Sequence, residues 1–177
     1  GSRGRRRTTG STTGSTGGST SGSTDGRSRR NVMKIRRATV LDLSALYGML
    51  HVMHKESEHR VSSINSEKGT AAISAVLHRG VALVAEDEGR IVGSIGGMEA
   101  SDWWSTDNAL VDYWFYVYKD YRKSTIAIKL IKKFMDIGKK ANIKVKLGHI
   151  HGGDTDRKDN FYTRLGLVKA GSTYLEK

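Results

Sequence analysis

A change of hydrophobic period between Val111 and Ala141 constrains the fold of this chain more than any other feature. Residues 111–118 form a run of Val, Tyr, Trp and Phe, which suits a largely buried β-strand. From Ile126 onward, apolar residues recur at the spacing of one helix face, and lysines occupy the opposite face. The sequence therefore predicts a strand, a tight loop and an amphipathic helix with the apolar face Ala127, Leu130, Ile131, Phe134, Gly138 and Ala141.

The loop between that strand and that helix has the chemistry of an anion-binding turn. It supplies two cations, two hydroxyl groups and the free N–H groups of a helix start, and it reads Arg122, Lys123, Ser124, Thr125, Ile126 and Ala127. The helix dipole, the free amides and the positive charge all favour a negative ligand. We therefore expect a phosphate group to bind here.

Residues 1–32 differ in composition from the rest of the chain. Of the first thirty residues, eight are Gly, fourteen are Ser or Thr, seven are Arg and one is Asp25. Such a segment has too few apolar side chains to offset the entropy of ordering, so we predict a flexible tail, either native or a cloning linker. Residues 33–177 are long enough for one globular domain, and Met33 is a plausible natural first residue.

Charge and cysteine content narrow the class of protein. The chain carries 30 Lys and Arg against 18 Asp and Glu; without the seven Arg and one Asp of the tail, 23 remain against 17, a net charge of +6. The absence of cysteine excludes disulfides and thiolate catalysis. No apolar run has the length of a membrane span, so we expect a cytoplasmic protein without a membrane partner. Nucleic acid is expected to bind only weakly, through the basic tail.

The remaining elements follow from local patterns. We predict strands over residues 33–39, 81–85, 91–98, 143–150 and 167–175, in addition to strand 111–118. A helix capped by Asp42, a second over 71–77 closed by Gly80, and a short one over 159–165 complete the set. The predicted order is β-α-α-β-β-β-α-β-α-β.

Two motifs resemble those of the GNAT acyltransferase superfamily. Residues 116–124, YVYKDYRKS, resemble the entry to its motif A, whose pyrophosphate loop reads Q/R-x-x-G-x-G/A. Arg122 and Ala127 match the first and last positions, whereas Thr125 stands at a usual Gly and Lys119 at a usual Pro. The Thr125 side chain is expected either to cap the helix or to donate its hydroxyl to a phosphate oxygen.

The second motif lies near the end of the chain. Residues 160–167, NFYTRLGL, resemble motif B, commonly FYEKLGF, with direct matches at Phe161, Tyr162, Leu165 and Gly166. Thr155 and Lys158 occupy positions where the family has Asn and Ala. The two motifs stand in the family's order, and the resemblance covers residues 33–177.

The resemblance implies an α/β GNAT fold, with a mixed, mostly antiparallel sheet flanked by helices and two splayed parallel strands at a cofactor cleft. It implies transfer of an acetyl group from acetyl-CoA to a primary amine of a small molecule or peptide, with Tyr162 as the acid that protonates the CoA thiolate. Cofactor contacts are implied for Phe115, Tyr116, Val117, the six residues of loop 122–127, and Asn160. A homodimer is also compatible with the family.

Several assignments stay open at this stage. The general base could be Asp112, whose strand parity with Trp114 and Tyr116 predicts that it faces away from the acetyl group; the other candidates are Glu56, Glu58 and Glu99. Glu56 and Glu58 point weakly to a cationic acceptor. The histidines and carboxylates His149, His151, Asp154 and Asp156 match no strong metal signature, so no metal is predicted.

Two further readings compete with catalysis. The Tyr162 side chain could be a core tyrosine hydrogen-bonded to a backbone carbonyl. Trp103 and Trp104 could line a substrate site, form a dimer contact or cover the edge of the core. A GNAT-fold module that binds acyl-CoA without turnover is the alternative function, supported by the departures at Thr125 and Thr155.

Overall fold

The computed structural model describes residues 33–57, 62–149 and 153–174. The described elements follow the predicted order up to the last helix. They are β1 (Lys34–Arg37), a 3-10 turn (Val40–Asp42), α1 (Leu43–Glu56), α2 (Ser66–Arg79), β2 (Val81–Asp87), β3 (Arg90–Ser101), β4 (Asn108–Val117), a second 3-10 turn (Lys119–Tyr121), α3 (Ile126–Lys140), β5 (Lys144–Lys146) and α4 (Thr155–Arg164).

One five-stranded sheet organises the described residues, with the strands in sequence order from β1 to β5. The pairs β1–β2, β2–β3 and β3–β4 are antiparallel, and β4–β5 is parallel. The parallel pair needs a crossover, which α3 supplies between β4 and β5. The predicted mixed, mostly antiparallel sheet is therefore confirmed.

Helices cover both faces of the sheet. On one face, α3 buries the predicted stripe of Leu130, Ile131 and Phe134 in the main core, whose strand residues include Leu83 and Leu110. On the other face, α1 and α2 pack against β2 and β4 through two smaller clusters, one centred on Leu46, Ile73 and Val84, the other on Met49, Met53 and Tyr116. The long helix predicted from the change of period is thus confirmed, with its lysines outward.

Asp42 does not cap α1 with its side chain, as the sequence led us to expect. Its carboxylate instead accepts two hydrogen bonds from the Arg36 guanidinium, at 2.8 and 2.9 Å, and one from the Thr39 N–H at 2.8 Å. The Arg36 hydrogen bonds hold the pKa of the buried Asp42 carboxyl below its usual value. Arg36 also donates to Glu86 on β2, so this network ties β1 and the start of α1 to the sheet.

The predicted start of α2, the predicted length of β5 and the predicted last strand are wrong. Helix α2 begins at Ser66 and not at residue 71, because Asn65 Oδ1 accepts a hydrogen bond from the Lys68 N–H and caps it there. Strand β5 spans only three residues of the predicted eight, and residue 150 lies outside the described chain. Residues 167–174 form no strand, since apart from the half-buried Leu167 their side chains are exposed and have no core to pack on.

Candidate active site

The candidate site is the gap that opens between β4 and β5. The two strands pair from Ala109↔Lys144 to Val111↔Lys146, and their pairing stops there although β4 continues to Val117. At the next residue, the Asp112 side chain takes the place of a backbone partner: its Oδ1 accepts a hydrogen bond of 2.8 Å from the Gly148 N–H. The predicted splaying of the parallel strands is therefore confirmed, and Asp112 stands where it begins.

A β-bulge at Tyr113 corrects the predicted orientation of Asp112. Opposite β3, Gly96 pairs with Trp114 but Gly97 pairs with Asp112, so Tyr113 is an extra residue in β4. An extra residue reverses the alternation of side chains. The prediction that Asp112 shares a face with Trp114 is wrong for this reason, and the carboxylate points into the gap toward β5.

The bulge has a sequence signal in the glycine pair of β3. A Cβ at Gly97 would lie 2.2 Å from the Val111 carbonyl oxygen, and one at Gly96 would lie 2.2 Å from the Trp114 ring. Both residues must therefore lack a side chain for β4 to bulge and for the indole to lie flat on β3. Two adjacent glycines inside a predicted strand are therefore the sequence signal of this bulge.

Beyond the bulge, β4 presents unpaired backbone groups to the gap. The Tyr118 N–H donates to the Val92 carbonyl, which makes that pair hydrogen-bonded, and bonded and non-bonded pairs alternate along an antiparallel ladder. The N–H and C=O groups of Val117 and Phe115 therefore point away from β3. The Phe115 N–H and C=O and the Val117 N–H are available on the side where the family resemblance implies pantetheine contacts, whereas the Val117 C=O accepts from Arg122 Nε and the groups of Tyr116 are turned to β3.

The start of α3 keeps free N–H groups. Ser124 Oγ donates to the Tyr121 carbonyl at 2.6 Å and accepts from the Ile126 N–H at 3.3 Å. Among the described residues, nothing accepts a hydrogen bond from the N–H groups of Ala127 and Ile128. Thr125 makes no side-chain cap, so that alternative for its hydroxyl is wrong. Two unpaired amides at the positive end of a fifteen-residue helix suit a phosphate oxygen.

Arg122 braces the loop from behind. Its Nε donates to the Val117 carbonyl at 2.8 Å, its Nη2 is hydrogen-bonded to Glu56 on α1, and its guanidinium carbon lies 5.2 Å from the centre of the Tyr116 ring. Lys119 adds a longer ion pair to Glu56, at 3.7 Å. Burial alone would raise the pKa of Glu56, but Arg122 lowers it below its usual value, so this carboxylate is ionised and engaged.

A cavity of about 670 Å³ opens between α3 and α4 beside the free amides. Asn160, an expected cofactor contact, lines it together with three basic side chains, Lys132, Arg157 and Arg164, and two acidic ones, Asp154 and Asp156, of which Asp154 is engaged as the cap of α4. Phe161 and Leu165 supply an apolar wall. Phosphates and a nucleoside need cationic groups and an apolar surface of this kind, and the residues present therefore fit the CoA moiety. Ile126, by contrast, is fully buried and offers only its backbone.

Tyr162 lies on the opposite wall of the gap, in contact with a chain of polar side chains that sequence reasoning did not assign. Its ring stacks on His149 at 5.5 Å with the planes 5° apart. His149 Nε2 pairs with Asp159 Oδ1 at 2.9 Å, and Asp159 Oδ2 pairs with Lys169 Nζ at 2.7 Å. The Asp159 carboxylate therefore holds the His149 imidazole, whose buried Nδ1 has no partner among the described residues.

Burial raises the pKa of both central groups, Asp112 and Tyr162. Burial raises the pKa of Asp112 to about 6, although the Gly148 N–H and His149 partly offset this. Burial, aided by the Asp112 charge, raises the pKa of Tyr162 to about 12. No described residue hydrogen-bonds the Tyr162 hydroxyl, so the reading of a core tyrosine bonded to a carbonyl is wrong. At neutral pH the pair consists of an ionised carboxylate and a protonated phenol.

The other candidate residues lie elsewhere. Glu99 is exposed on β3, and Glu58 falls outside the described residues. Asp154 accepts from the Arg157 N–H as the cap of α4, His149 is paired with Asp159, and His151 is not described. Within the described ranges, no three His, Asp or Glu side chains are grouped to hold a metal ion.

The tryptophan pair does not cover the core. Trp103 is 92% exposed and Trp104 is 68% exposed, and their rings contact each other edge to face at 5.2 Å. The suggestion that they close the core edge is wrong.

None of the described helices combines the length and the apolar character that a membrane span requires.

Comparison with known proteins identifies the family of the chain. A family model described as an acetyltransferase (GNAT) domain matches residues 78–168, which run from the end of α2 through α4. No curated protein sequence matches the chain significantly. The chain therefore belongs to the GNAT acetyltransferase family.

Solved structures share the fold at low sequence identity. A predicted acetyltransferase from Clostridium acetobutylicum, solved with acetyl-CoA, has a TM-score of 0.67 and 18% identity, covering 82% of this chain and 95% of its own. Glucosamine-6-phosphate N-acetyltransferase from Arabidopsis thaliana has a TM-score of 0.61 and 18% identity, covering 82% and 97%. AAC(6')-Iy with a CoA–acetylneamine bisubstrate analogue has a TM-score of 0.65 and 12% identity, covering 82% and 97%.

Proposed function

We propose that this protein is an acetyl-CoA-dependent N-acetyltransferase that acts on a primary amine of a small molecule or peptide. The observation that carries the proposal is the position of Asp112 and Tyr162 at the point where β4 and β5 part: Asp112 accepts from the Gly148 N–H, and the Tyr162 ring stacks on the next residue, His149. A half-buried carboxylate and a half-buried phenol in opposite protonation states are the pair that amine acetylation needs.

Each residue has a role in the proposed reaction. Bound acetyl-CoA supplies an acetyl thioester. The Asp112 carboxylate accepts a proton from the acceptor ammonium, directly or through water, and the freed amine nitrogen attacks the thioester carbonyl carbon. The Val117 N–H stabilises the negative charge that develops on the carbonyl oxygen. As the carbon–sulfur bond breaks, the Tyr162 hydroxyl donates its proton to the departing sulfur, and the second proton that the amide nitrogen loses restores the phenol, directly or through water.

The cofactor contacts follow the same division. The N–H groups of Ala127 and Ile128 and the side chains of Lys123 and Thr125 would bind the pyrophosphate at the start of α3. Asn160 and the basic residues of the α3–α4 cavity would bind the rest of the nucleotide. Phe115 would pair with the pantetheine amides through its free N–H and C=O groups, and Val117 would contact the thioester through its N–H, because its carbonyl accepts from Arg122. The backbone of Tyr116 is paired to β3, so Tyr116 would contribute through its ring, which contacts the Arg122 guanidinium.

The test of the proposed function is thiol release from acetyl-CoA in the presence of an amine panel. The wild type is expected to turn over, and Tyr162→Phe is expected to lower kcat about 10² to 10³-fold with little change in KM, because only the transition state uses the hydroxyl proton. Tyr174→Phe, at an exposed tyrosine, is the matched control. Acetyl-CoA binding without turnover of any amine would instead support the non-catalytic acyl-CoA-binding module.

A further inference from the structure

A second cavity lies on the opposite face of the sheet from the α3–α4 cavity. It measures about 540 Å³, and its walls come from α1, α2 and the bulged part of β4. Tyr113 and Trp114, which directly follow Asp112, form its strand wall. The Asp112 carboxylate does not line this cavity but points into the gap between β4 and β5, so the cavity and the proposed base meet at that gap, beside Tyr113.

The lining of this cavity is apolar. Leu46, Met49, Leu50 and Met53 contribute from α1, and Ala72 and Ile73 contribute from α2. The indole N–H of Trp114 is used inside the sheet, where it donates to Ser94 Oγ at 2.9 Å, so its ring shows only carbon to the cavity. Methionine side chains are deformable and polarisable, which suits an aromatic or branched ligand of variable shape.

The charges of the described lining residues do not favour a polycation. Among the described lining residues there is no Asp or Glu, and the basic side chains His54 and Lys68 lie at its edge. Glu56, the last residue of α1, does not line the cavity and is paired with Arg122 and Lys119. An additional ammonium group in this space would lose water without gaining a carboxylate partner. The weak sequence hint of a cationic acceptor came from Glu56 and Glu58; Glu56 gives it no support, and Glu58 lies outside the described residues.

We propose that this cavity binds the acceptor, and that the acceptor is a primary amine on an aromatic or branched apolar body rather than a polycation. The inference rests on the proposed acetyl-transfer function and adds the chemical class of its substrate. The single amino group would lie beside Tyr113, near Asp112, and the apolar body would lie between α1 and α2. The polycationic aminoglycosides named for several proteins of the same fold are poor acceptors for this chain.

The experiment compares phenethylamine, ethylamine and spermidine as acceptors for the full chain. We expect kcat/KM for phenethylamine to exceed that for ethylamine by about tenfold or more, because only phenethylamine buries a ring. Spermidine is expected to be no better than ethylamine. Equal or faster acetylation of spermidine would overturn the inference and leave the proposed function standing.

Two neighbouring alanines on α2 give a matched pair of variants. Ala72 lines the cavity, whereas Ala71 is exposed on the same helix. Ala72→Phe is expected to lower kcat/KM for phenethylamine about tenfold or more and to affect ethylamine less, while Ala71→Phe changes neither. Ala72→Leu replaces Ala72→Phe if the larger side chain prevents folding. An unchanged preference in a folded Ala72 variant contradicts the assignment of the cavity.

Binding separates the two proposals. Calorimetry with phenethylamine in the presence of CoA, which has no acetyl group to transfer, reports on the cavity alone. Phenethylamine binding that Ala72→Phe removes would support the inference even if no amine were acetylated, an outcome that refutes the proposed function only. The absence of phenethylamine binding to the folded wild type would refute the inference.

Discussion

At the scale of single residues, Asp112 has a property that suits the proposed base and lowers the stability of the fold. Its carboxylate is half-buried at the opening between β4 and β5, where it accepts a hydrogen bond from the Gly148 N–H. Burial disfavours the charged form, which is why the pKa of Asp112 rises from 3.8 to about 6. A group that would be more stable uncharged, yet is ionised at neutral pH, suits a base and weakens the fold.

The raised pKa of Asp112 predicts that Asp112→Asn stabilises the protein in a pH-dependent way. A pKa of about 6 in the folded state, against 3.8 for the free carboxyl, means that wild-type stability falls as pH rises through this interval. The asparagine carries no charge and keeps an oxygen that can accept from Gly148. We expect the variant to match the wild type near pH 4 and to exceed it by up to about 3 kcal/mol at pH 8.

Urea unfolding at both pH values measures this difference, and acetyl transfer measures its cost. Asp112→Asn is expected to lose activity, and the wild-type rate is expected to fall as pH drops below about 6 because the base becomes protonated. Asp102→Asn, at an exposed aspartate paired with Lys146, is the control. A stability difference that is the same at pH 4 and pH 8 would show that the Asp112 charge carries no folding cost.

At the scale of elements, the hydrophobic period of the sequence predicts which face of a helix is buried. It does not predict features that depend on how two strands pair. Helix α3 follows from its apolar stripe because that stripe alone determines which face is buried. The bulge at Tyr113 depends on β3, whose Gly96 and Gly97 make room for it, so parity along β4 alone gave the wrong orientation for Asp112. The short β5 likewise depends on the Asp112 side chain, which replaces the next backbone partner.

The candidate site divides in the same way. Motif residues such as Tyr162 and the loop before α3 were predictable because a resemblance fixes their positions along the chain. His149 and Asp159 come together only through the fold, on different elements ten residues apart in sequence. No local pattern distinguishes that contact from a metal site or a polar surface.

The brace between α1 and the phosphate loop leads to a prediction about cofactor affinity. Glu56 holds Arg122, and Arg122 holds the Val117 carbonyl, so the brace fixes the loop relative to β4. Glu56→Gln is expected to raise the Kd for acetyl-CoA about fivefold, corresponding to about 1 kcal/mol for a partly exposed ion pair. Calorimetry gives the Kd directly.

Glu67→Gln provides the comparison for this variant. Glu67 is an exposed glutamate in the first turn of α2, and its loss removes the same charge without touching the loop. Its Kd for acetyl-CoA is expected to stay within about twofold of the wild type, within the range of surface substitutions. If Glu56→Gln and Glu67→Gln weaken binding equally, net charge rather than the brace determines the affinity.

At the scale of the whole molecule, the positive charge has two sources. Half of the net +12 belongs to the first thirty residues, as the counts of Arg and Asp show, and the remaining +6 belongs to the rest. The described core draws on residues from Met33 to Leu165 only. Folding and acetyl transfer are thus expected to depend on residues 33–177, and non-specific polyanion binding on residues 1–32.

Deleting residues 1–32 tests this division of labour. The shortened chain is expected to keep its kcat/KM and a Tm within about 2 °C of the full chain, because no described core residue is lost. Elution from heparin is expected at clearly lower salt, since seven arginines no longer displace counterions. A large drop in Tm would place part of the folding unit before Met33. Unchanged heparin retention would instead assign polyanion binding to the lysines on the outer face of α3, beside the proposed phosphate site.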